Sequence, residues 1–479
     1  MMDYEAVIGL EIHVELNCPT KMFCDCPNHP GDEANKNTCP ICLWLPGAIP
    51  RFGYAALGKA VLACLALNCE IQEQSSFDQK VYYYPDQPKG FQLSQAHHPL
   101  ARNGRLSIIG EDGQPRVLRI HHIHMEEDVA KLVHEMEGKT PISLVDFNRA
   151  GVPLIEIVTE PDIRSAHDAM EFVRLLRTQI RYVESSECNL ESGTMRVDAN
   201  ISVRPRGTEQ MNTKVEVKNM NSIRHVGDAI AYEIERQKES LAAGAPIVPH
   251  TRLWDPVKKV TTVMRDKLPS PCVPDPSVPP IVISREWLEE QMTRLPEMPG
   301  AKAERFHRQF DLTGEEAFRL CGEKETADYF EQVMGMGCRL PPRMVNHWLM
   351  AQLIPSLREQ GETLLSSRLT PSRFSELLNL IDRDEINLHS AKAVLIRLLD
   401  TDLPVRTVIE QGGFSQVSDA SELEEIVADV LKKHAAAVAD YRGGNAKTLG
   451  FLIGQAMKDS GGKANPKVVR ELLIKALTL

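Results

Sequence analysis

Residues 8–16 read IGLEIHVEL, and apolar side chains occupy every second position of this stretch. One side of an extended chain would carry the apolar residues Ile8, Leu10, Ile12, Val14 and Leu16. The opposite side would carry the ionisable residues Glu11, His13 and Glu15. Because successive side chains of a β-strand point to opposite faces, the stretch predicts a strand with one buried face and one polar face.

Three later stretches alternate in the same way and predict further strands of this kind. Their polar positions are His122, His124 and Glu126; Arg196, Asp198, Asn200 and Ser202; and Lys214, Glu216 and Lys218. One interpretation is an antiparallel sheet that turns a polar face to water. The other is a cation site, because carboxylates beside histidine and asparagine are ligands for hard metals. A concave sheet could hold magnesium and ATP phosphates through four carboxylates, namely Glu11, Glu126, Asp198 and Glu216.

Other routes to nucleotide chemistry are missing from the sequence. No phosphate-binding loop G-x-x-x-x-G-K-[ST] is present, and residues 443–448, GGNAKT, lack the glycine before the lysine. Residues 121–132, HHIHMEEDVAKL, concentrate histidines and carboxylates but do not contain the zinc-protease pattern H-E-x-x-H. No G-x-S-x-G nucleophile elbow occurs either. If the protein handles ATP, an open metal-lined sheet must bind it.

Length and periodicity divide the chain into several parts. At 479 residues it is too long for one compact core. Its first part mixes alternating strands with glycine, proline and asparagine turns, which predicts an α+β fold with a largely antiparallel sheet. Beyond the proline-rich stretch 268–280 the apolar period becomes 3.6, which predicts helices. We expect an α+β domain over 1–292, an all-α helical domain over 293–405 and a small helical tail domain over 406–479.

Charge and hydropathy limit the cellular roles. The net charge of −11 argues against an indiscriminately basic nucleic-acid binder. From Tyr441 onward, however, seven basic residues stand against two acidic ones, which fits either an anionic partner or a solvated helix face. The longest apolar stretch, 55–69, is interrupted by Lys59 and is too short for a bilayer span. The N-terminus is acidic where a secretory leader would be basic, so we expect a cytoplasmic protein.

Eleven cysteines in a reducing compartment are expected to be free thiols or metal ligands. Four of them, Cys24, Cys26, Cys39 and Cys42, form the pattern C-x-C-x12-C-x2-C. The second pair has the spacing with which two thiolates meet one zinc ion across a tight turn. The first pair is one residue tighter than usual, so a zinc clip and a set of plain buried thiols both remain open.

Eight motifs, taken in order, resemble those of a single family. They are VIGLEIHVEL (7–16), CPICLWLPGAIP (39–50), FDQKVYYYPDQPKGFQLSQ (77–95), IHMEEDVAKLVH (123–134), SLVDFNRAGVPLIEIVTEPDIRS (143–165), SGTMRVDANISVRP (192–205), EVKNMNSIR (216–224) and FLIGQAMKDSGGKANPKVVRELL (451–473). The family is that of GatB, one of the subunits of the tRNA-dependent aspartyl/glutamyl-tRNA(Asn/Gln) amidotransferase. Its members convert Glu-tRNA(Gln) to Gln-tRNA(Gln) and Asp-tRNA(Asn) to Asn-tRNA(Asn).

The resemblance implies a cradle domain of glutamine-synthetase-like fold, followed by a helical domain and a tail that contacts tRNA. It also implies a two-step reaction, in which ATP phosphorylates the side-chain carboxylate of the misacylated tRNA and ammonia then displaces the phosphate. The chain has no recognisable amidase signature of its own. Ammonia is therefore expected from a partner amidase subunit, GatA, within a heterotrimer that also contains the small subunit GatC.

The resemblance also implies a set of magnesium ligands. Glu11, His13 and Glu126 fall on the metal-binding positions of the family. Asp198 and Glu216 lie in matching motifs and complete the expected set. These residues would hold magnesium against the ATP phosphates while charge builds on the transferred phosphoryl group.

Further roles follow from the same resemblance. Positive or hydrogen-bonding support for the phosphates is expected from Lys131, Arg149, Lys218 and Asn219, and Lys131 joins the expected catalytic set. Arg149 and Lys218 could equally be structural ion-pair partners. His124 could be a structural histidine or a neighbour of the acyl phosphate. In the tail domain, Lys447 and Lys463 are expected to contact tRNA phosphates.

The chain departs from the family pattern at two places. Segment 265–280 lacks the aromatic and arginine residues, and one glutamate, that many members carry there, and Ala130 replaces a usual glycine. Two alternatives to the transamidase therefore remain. One is a paralogue that binds tRNA or the amidase without doing chemistry. The other is an amidotransferase that acts on a different carboxylate, such as that of a peptide.

Overall fold

The computed structural model describes residues 3–29, 31–266, 270–414, 420–443, 445, 447–460, 464 and 466–478, and only the backbone of 420–422, 466 and 478. The chain divides into two compact units, Met1–Met298 and Pro299–Leu479. The described part of the first unit contains strands and four helices, whereas that of the second is helical. The α+β fold with a largely antiparallel sheet, followed by helices, is therefore confirmed. The three-domain division, with boundaries after residues 292 and 405, stays a prediction.

The strands belong to the first unit. They are β1 (Tyr4–Glu15), β2 (Glu70–Ile71), β3 (Gln74–Val81), β4 (Phe91–His98), β5 (Ala101–Ile109), β6 (Pro115–Glu127), β7 (Lys131–Glu137), β8 (Thr140–Asp146), β9 (Pro153–Thr159), β10 (Met195–Pro205), β11 (Val215–Lys218), β12 (His250–Asp255), β13 (Val260–Asp266), β14 (Cys272–Pro274) and β15 (Ile281–Val282).

Nine of these strands form the large sheet, in the order β13-β12-β11-β10-β1-β9-β6-β5-β2. Neighbouring strands are antiparallel, except that β11 and β12 run parallel. Strand β1 lies at the centre, between β10 and β9. β3 pairs with β4, β14 and β15 in a second sheet, and β7 and β8 form a separate hairpin. The first strand of the sequence is thus the middle strand of the large sheet.

Four helices belong to the same unit, and those that contact strands of the large sheet cover its apolar face. The four are α1 (Tyr54–Ala66), α2 (Ala166–Tyr182), α3 (Ile223–Ala242) and α4 (Arg285–Thr293). The apolar residues at even positions 8–14 of β1 are at most 1% exposed and share the main core with Phe172 of α2 and Ile230 of α3. Ser165 and Ser222 cap α2 and α3, because each side chain accepts a hydrogen bond from the third helical N–H. Burial of this face leaves the polar positions of β1 on the other one.

The second unit consists of short helices. They are α5 (Pro299–Phe310), α6 (Gly314–Leu320), α7 (Lys324–Gly335), α8 (Pro342–Trp348), α9 (Ile354–Glu359), α10 (Pro371–Asp382), α11 (Leu388–Leu399), α12 (Val405–Gly412), α13 (Ala420–Lys433), α14 (Ala435–Arg442), α15 (Thr448–Asp459) and α16 (Pro466–Thr478). A π-helical turn, Leu349–Leu353, joins α8 to α9.

Two separate hydrophobic cores hold these helices together. One is built around residues such as Phe306, Phe330 and Leu377, and the other around residues such as Leu452 and Leu473. Among the helices of the described residues, none has the length and apolar character needed to cross a bilayer.

Candidate active site

The polar positions predicted from the sequence share one face of the large sheet. Residues directly opposite one another on antiparallel strands lie on the same face, so the register connects these positions. His13 on β1 stands opposite Glu156 on β9, and Glu156 stands opposite His124 on β6. On the other side of β1, Glu11 stands opposite Asp198 of β10. The sheet therefore gathers side chains that are far apart in the sequence.

Four ionisable side chains, His13, His124, Glu126 and Glu156, meet on β1, β9 and β6 and form what we call the carboxylate cluster. His13 Nε2 lies 3.1 Å from Glu126 Oε1 and 3.4 Å from Glu156 Oε2. His124 Nε2 lies 3.2 Å from Glu156 Oε2 and 3.8 Å from Glu126 Oε2. Glu126 is 1% exposed and Glu156 is 8% exposed. Two imidazoles thus flank two buried carboxylates.

The members of the carboxylate cluster shift one another's pKa values. Burial by itself would lower the pKa of both imidazoles, but Glu156 and Glu126 outweigh it and raise the pKa of His13 to about 10 and of His124 to about 9. Burial and mutual repulsion would raise the pKa of the carboxyls, but the histidines lower that of Glu126 to about 2 and that of Glu156 well below its usual range. Without a cation, the imidazoles of the carboxylate cluster are therefore positively charged and its carboxylates negatively charged near neutral pH.

The carboxylate cluster fits a divalent cation. One ligand atom each of His13, Glu126 and Glu156 lies within 4.8 Å of the others. Glu126 Oε2 is buried and forms no hydrogen bond with any described residue, which is costly unless another group binds it. Carboxylate oxygens with one imidazole suit Mg2+ or Mn2+. Because an imidazole must be neutral to bind a metal, cation binding would release a proton from His13.

The other predicted carboxylates lie together on β1, β10 and β11. Glu11 Oε1 accepts a hydrogen bond from Asn200 Nδ2 at 2.8 Å. Lys218 Nζ binds the carboxylate of Asp198 and lies 3.9 Å from Glu216 Oε1. Burial would lower the pKa of Lys218, but the charges of Asp198 and Glu216 raise it. In this geometry Lys218 is an ion-pair partner of two carboxylates.

Asp128 binds two arginines just beyond the end of β6. Its Oδ2 atom accepts a hydrogen bond from Arg196 Nη2 at 2.7 Å and lies 3.6 Å from Arg149 Nε. Arg149 also donates to the backbone carbonyl oxygens of the two residues after Asp128, at 3.0 Å each. Burial and the charge of Asp128 raise the pKa of Glu15 to about 7. The contacts of Arg149 are thus those of a structural ion-pair partner.

Four further predicted residues make different contacts or lie elsewhere. Lys131 is exposed at the start of β7, opposite Asp146. Asn219 follows β11 with a left-handed φ of 70°, and its Nδ2 atom donates to the carbonyl oxygen of Trp254 at 3.1 Å. Lys447 is exposed just before α15. The fourth, Lys463, lies outside the described residues.

The four cysteines of the C-x-C-x12-C-x2-C pattern come together and form what we call the thiol cluster. Their sulfurs all lie within 4.8 Å of one another, and none of the four is in a disulfide. In a tetrahedral zinc–thiolate site, with Zn–S bonds of about 2.3 Å, the sulfurs are about 3.8 Å apart. Bonds from Cys24 and the Cys39 N–H, with the charge of Lys21, lower the pKa of Cys42 to about 5. The donor set therefore fits zinc.

Glu156 is a member of the candidate site that the sequence did not predict. It lies in the run LIEIV over 154–158, and its same-face neighbours Leu154 and Val158 are apolar. The strand therefore lacks the polar alternation that marked the others. A usable signal existed nevertheless, because a single carboxylate inside a buried apolar strand needs a partner.

The two departures from the family pattern are accommodated within the first unit. Residues 272–274 form β14, which pairs with β3, and Asp275 Oδ2 accepts a hydrogen bond from Gln79 Nε2 at 2.7 Å. Residues 267–269 lie outside the described part of the chain. Ala130 is buried, its N–H donates to the Asp86 carbonyl oxygen at 3.0 Å, and its φ is not left-handed. Its backbone therefore does not require glycine.

Two family models match the chain. One, described as the GatB/GatE catalytic domain, matches residues 6–289 and so includes every member of the carboxylate and thiol clusters. The other, described as the GatB domain, matches residues 328–477. The chain belongs to the GatB family, and the resemblance seen in the sequence is confirmed.

Full-length relatives agree with this assignment. The chain is 63% identical to a GatB subunit of the aspartyl/glutamyl-tRNA(Asn/Gln) amidotransferase of Syntrophus aciditrophicus, over 99% of both chains. It is 43% identical to the corresponding subunit from Carboxydothermus hydrogenoformans, over 99% of this chain and 98% of the relative. It is 44% identical to that from Persephonella marina, over 98% and 99%.

Proposed function

We propose that this chain is the subunit of a tRNA-dependent amidotransferase that uses ATP to amidate the side-chain carboxylate of Glu-tRNA(Gln) or Asp-tRNA(Asn). The observation that carries the proposal is the carboxylate cluster, in a chain that belongs to the GatB family. The named relatives are GatB subunits of aspartyl/glutamyl-tRNA(Asn/Gln) amidotransferases. Phosphorylation of a carboxylate needs cation ligands, and the polar sheet face offers them.

Two sets of side chains on this face would bind magnesium. The first set comes from the carboxylate cluster, namely His13, Glu126 and Glu156. The second lies beside it on β1, β10 and β11, namely Glu11, Asp198 and Glu216. When bound, magnesium supplies positive charge against the ATP phosphates while the phosphoryl group moves to the substrate carboxylate. The sheet register holds the ligands in place, so little reorganisation is needed on binding.

Cationic and amide side chains would support the phosphates. Lys218 would turn from Asp198 towards a phosphate oxygen when the nucleotide binds. Asn219 is held by its bond to the Trp254 carbonyl, and Arg149 by its backbone and carboxylate contacts. From these fixed positions Asn219 would offer a hydrogen bond and Arg149 a positive charge. Lys131 would add an exposed positive charge.

Ammonia would then complete the reaction. Its nitrogen attacks the acyl phosphate, the C–N bond forms, and phosphate leaves with the electron pair of the C–O bond, while the nitrogen gives up one proton that the released phosphate can take. The sequence carries no amidase signature, so ammonia would come from a partner amidase subunit, GatA, in a heterotrimer with GatC. The names of the relatives, which designate one subunit of an enzyme, support such an assembly.

The thiol cluster would hold a structural zinc ion. Four thiolates complete the tetrahedral coordination of zinc and leave no open position for a substrate. The ion would fasten the loop that contains residues 24–42 to the rest of the first unit. Its contribution is therefore to stability and not to the phosphoryl step.

The C-terminal tail would bind tRNA. With the boundaries proposed here, 1–292 is the catalytic cradle, 293–405 a helical domain and 406–479 the tail domain. The excess of basic residues after Tyr441 supports a contact with phosphates, for which Lys447 and Lys463 are the proposed residues. Such a protein acts where aminoacyl-tRNAs are made, in the cytoplasm.

Reconstituted transamidation tests the proposal. The chain is combined with the amidase and small subunits, glutamine, ATP and either Glu-tRNA(Gln) or Asp-tRNA(Asn), and the amidated aminoacyl-tRNA is quantified. We expect product from the unaltered chain and a rate at least about 100-fold lower for Glu126→Gln, because a cation ligand contributes several kcal/mol. Glu111→Gln, at an exposed glutamate of the β5–β6 turn, is the matched control and should retain the rate.

Two outcomes would replace the proposal by its alternatives. Tight tRNA binding without any phosphate release from ATP would indicate a non-catalytic paralogue. ATP-dependent amidation of a peptide carboxylate in the absence of tRNA would indicate a different substrate.

A further inference from the structure

A buried lysine contacts the thiol cluster. Lys21 is only 1% exposed. Its Nζ atom lies 3.7 Å from Cys42 Sγ and donates a hydrogen bond to the carbonyl oxygen of Phe147 at 3.1 Å. Among the residues that the structure describes, no carboxylate forms an ion pair with Lys21. The only anionic group that its ammonium can face within this set of contacts is a thiolate.

Other lysines in apolar surroundings have carboxylate partners. Lys302, which is 6% exposed, binds Asp328 and lies 3.3 Å from Glu331 Oε2. Lys89, whose side chain is 5% exposed, binds Glu127. Glu127 lines the same small cavity as Lys21 but is already engaged by Lys89. Lys21 therefore differs from Lys302 and Lys89, because no carboxylate among the described residues pairs with it.

The chemistry of the thiol cluster supplies the missing anion. Burying an unpaired ammonium is very costly, and neutral thiols would not offset that cost. A zinc ion with four thiolates carries a net charge of −2, and a nearby cation would stabilise it on the buried side, where Cys24 and Cys42 lie. The ammonium of Lys21 and the negative charge of a zinc tetrathiolate would therefore partly neutralise each other. This contact favours the metal-bound thiolate interpretation over plain buried thiols.

We propose that Lys21 is the counter-cation of a zinc tetrathiolate formed by the thiol cluster, a role that rests on the proposed structural zinc. Its ammonium offsets one of the two negative charges and donates an N–H···S bond to Cys42. The backbone N–H of Cys39, 3.2 Å from Cys42 Sγ, adds a second bond to the same sulfur. Lys21 is a positioning residue, because it acts on the metal through a ligand.

The same side chain links the thiol cluster to the polar sheet face. Its Nζ holds the carbonyl of Phe147, and its stem packs against Gly151, where a Cβ would lie 3.5 Å from Lys21 Cδ. Gly151 has a left-handed φ of 89°, and its N–H donates to the carbonyl oxygen of Asp128 at 2.9 Å. Lys21 therefore also supports the turn that precedes β9, the strand that carries Glu156.

Zinc retention in the full-length chain tests this role, with no need for activity. Zinc affinity is measured by competition with a coloured chelator for the unaltered chain, K21M, K21Q and K21R. We expect a 10–100-fold loss of affinity in K21M, the size typical of a lost partner of a metal ligand. K21Q keeps a hydrogen-bond donor without the charge and should lose nearly as much, whereas K21R should stay close to the unaltered chain. K36M, at an exposed lysine between the two cysteine pairs, is the control.

Saturating zinc separates this role from a folding defect. K21M should still bind one zinc ion per chain when zinc is in excess, and its thermal melting should then recover. Unaltered affinity in K21M, or in K21Q, would overturn the counter-cation role and leave the zinc site standing. An unaltered chain that binds no zinc would overturn both the structural zinc and the role of Lys21.

Discussion

The first unit contains two clusters of side chains that can carry negative charge, and different cations lie beside them. The thiol cluster takes its four sulfurs from residues 24–42, and a separate lysine, Lys21, contacts one of them. The carboxylate cluster takes its members from three strands and contains its own counter-ions, the imidazoles of His13 and His124. The two clusters thus differ in the chemical type of the cation beside them, an ammonium in one and imidazoles in the other.

For the proposed metals, this difference predicts two kinds of site. Four cysteine sulfurs with a buried lysine beside them would suit an ion that stays bound and stabilises the fold. Histidines that serve as counter-ions without a metal, and as ligands with one, suit a cation that arrives and leaves with a nucleotide. The two clusters should therefore respond differently to substitution, chelation and pH.

The largest expected effect is on catalysis and concerns the residue that the sequence did not reveal. Glu156→Gln should lower the transamidation rate at least about 100-fold, because it removes a charged cation ligand worth several kcal/mol. Amidated aminoacyl-tRNA is the measured product. Zinc content should stay unchanged, and Glu137→Gln on the exposed β7–β8 hairpin should keep the full rate. A near-normal rate for Glu156→Gln would remove Glu156 from the proposed site.

The next effect is on stability and concerns the other cluster. Cys42→Ser should abolish stable zinc binding and lower the free energy of unfolding by about 3 kcal/mol or more, because zinc binding contributes directly to folding. Metal analysis and denaturant unfolding measure the two quantities. Cys272→Ser, at a half-buried cysteine outside the thiol cluster, is the control. Retained zinc in Cys42→Ser would contradict the assignment of the ligands.

A smaller effect distinguishes the clusters by pH. In the chelator-treated chain, the raised pKa values of His13 and His124 stabilise the fold below the ordinary value of 6.5, and this is lost as pH rises through about 9 to 10. The lowered pKa values of Glu126 and Glu156 stabilise it above 4.5, and this is lost as pH falls towards 2. Stability from the carboxylate cluster should thus be greatest between pH 4.5 and 6.5.

Urea unfolding at a series of pH values measures this dependence. We expect the free energy of unfolding to fall by on the order of 2 kcal/mol between pH 6.5 and 9. His13→Gln should flatten that decline. In a separate sample that keeps its zinc, release of zinc from the thiol cluster should increase as pH falls, because thiolates are protonated at low pH. An unchanged alkaline decline in His13→Gln would show that other groups cause it.

The smallest effect is expected for Ala130, which stands where the family usually has glycine. Ala130→Gly should lower the free energy of unfolding by only about 0.5–1 kcal/mol, because glycine loses more backbone freedom on folding. The transamidation rate should not change, since the alanine backbone is not left-handed. Thermal or urea unfolding and the product assay measure the two quantities. A marked gain in rate would mean that the alanine impairs the site.

The sequence alone determined which segments become strands with a polar face and which cysteines meet. Alternation over residues 8–16 marks β1, because the period of a strand is two and does not depend on its neighbours. The cysteine pattern lies within one loop, where chain length keeps the sulfurs close. These properties are local, and local physics sufficed to predict them.

Only the tertiary structure decided which polar residues face one another. Glu156 joined His13 because β9 pairs with β1 in one register, and Glu11, Asp198 and Glu216 became a separate group around Lys218 on the opposite side of β1. Strand order and register depend on pairings between distant segments and on helices that bury the other face, so no window of sequence contains them. The proposed role of Lys21 also depends on the tertiary structure, because it follows from the burial of the side chain and its contact with Cys42 and not from its place in the sequence.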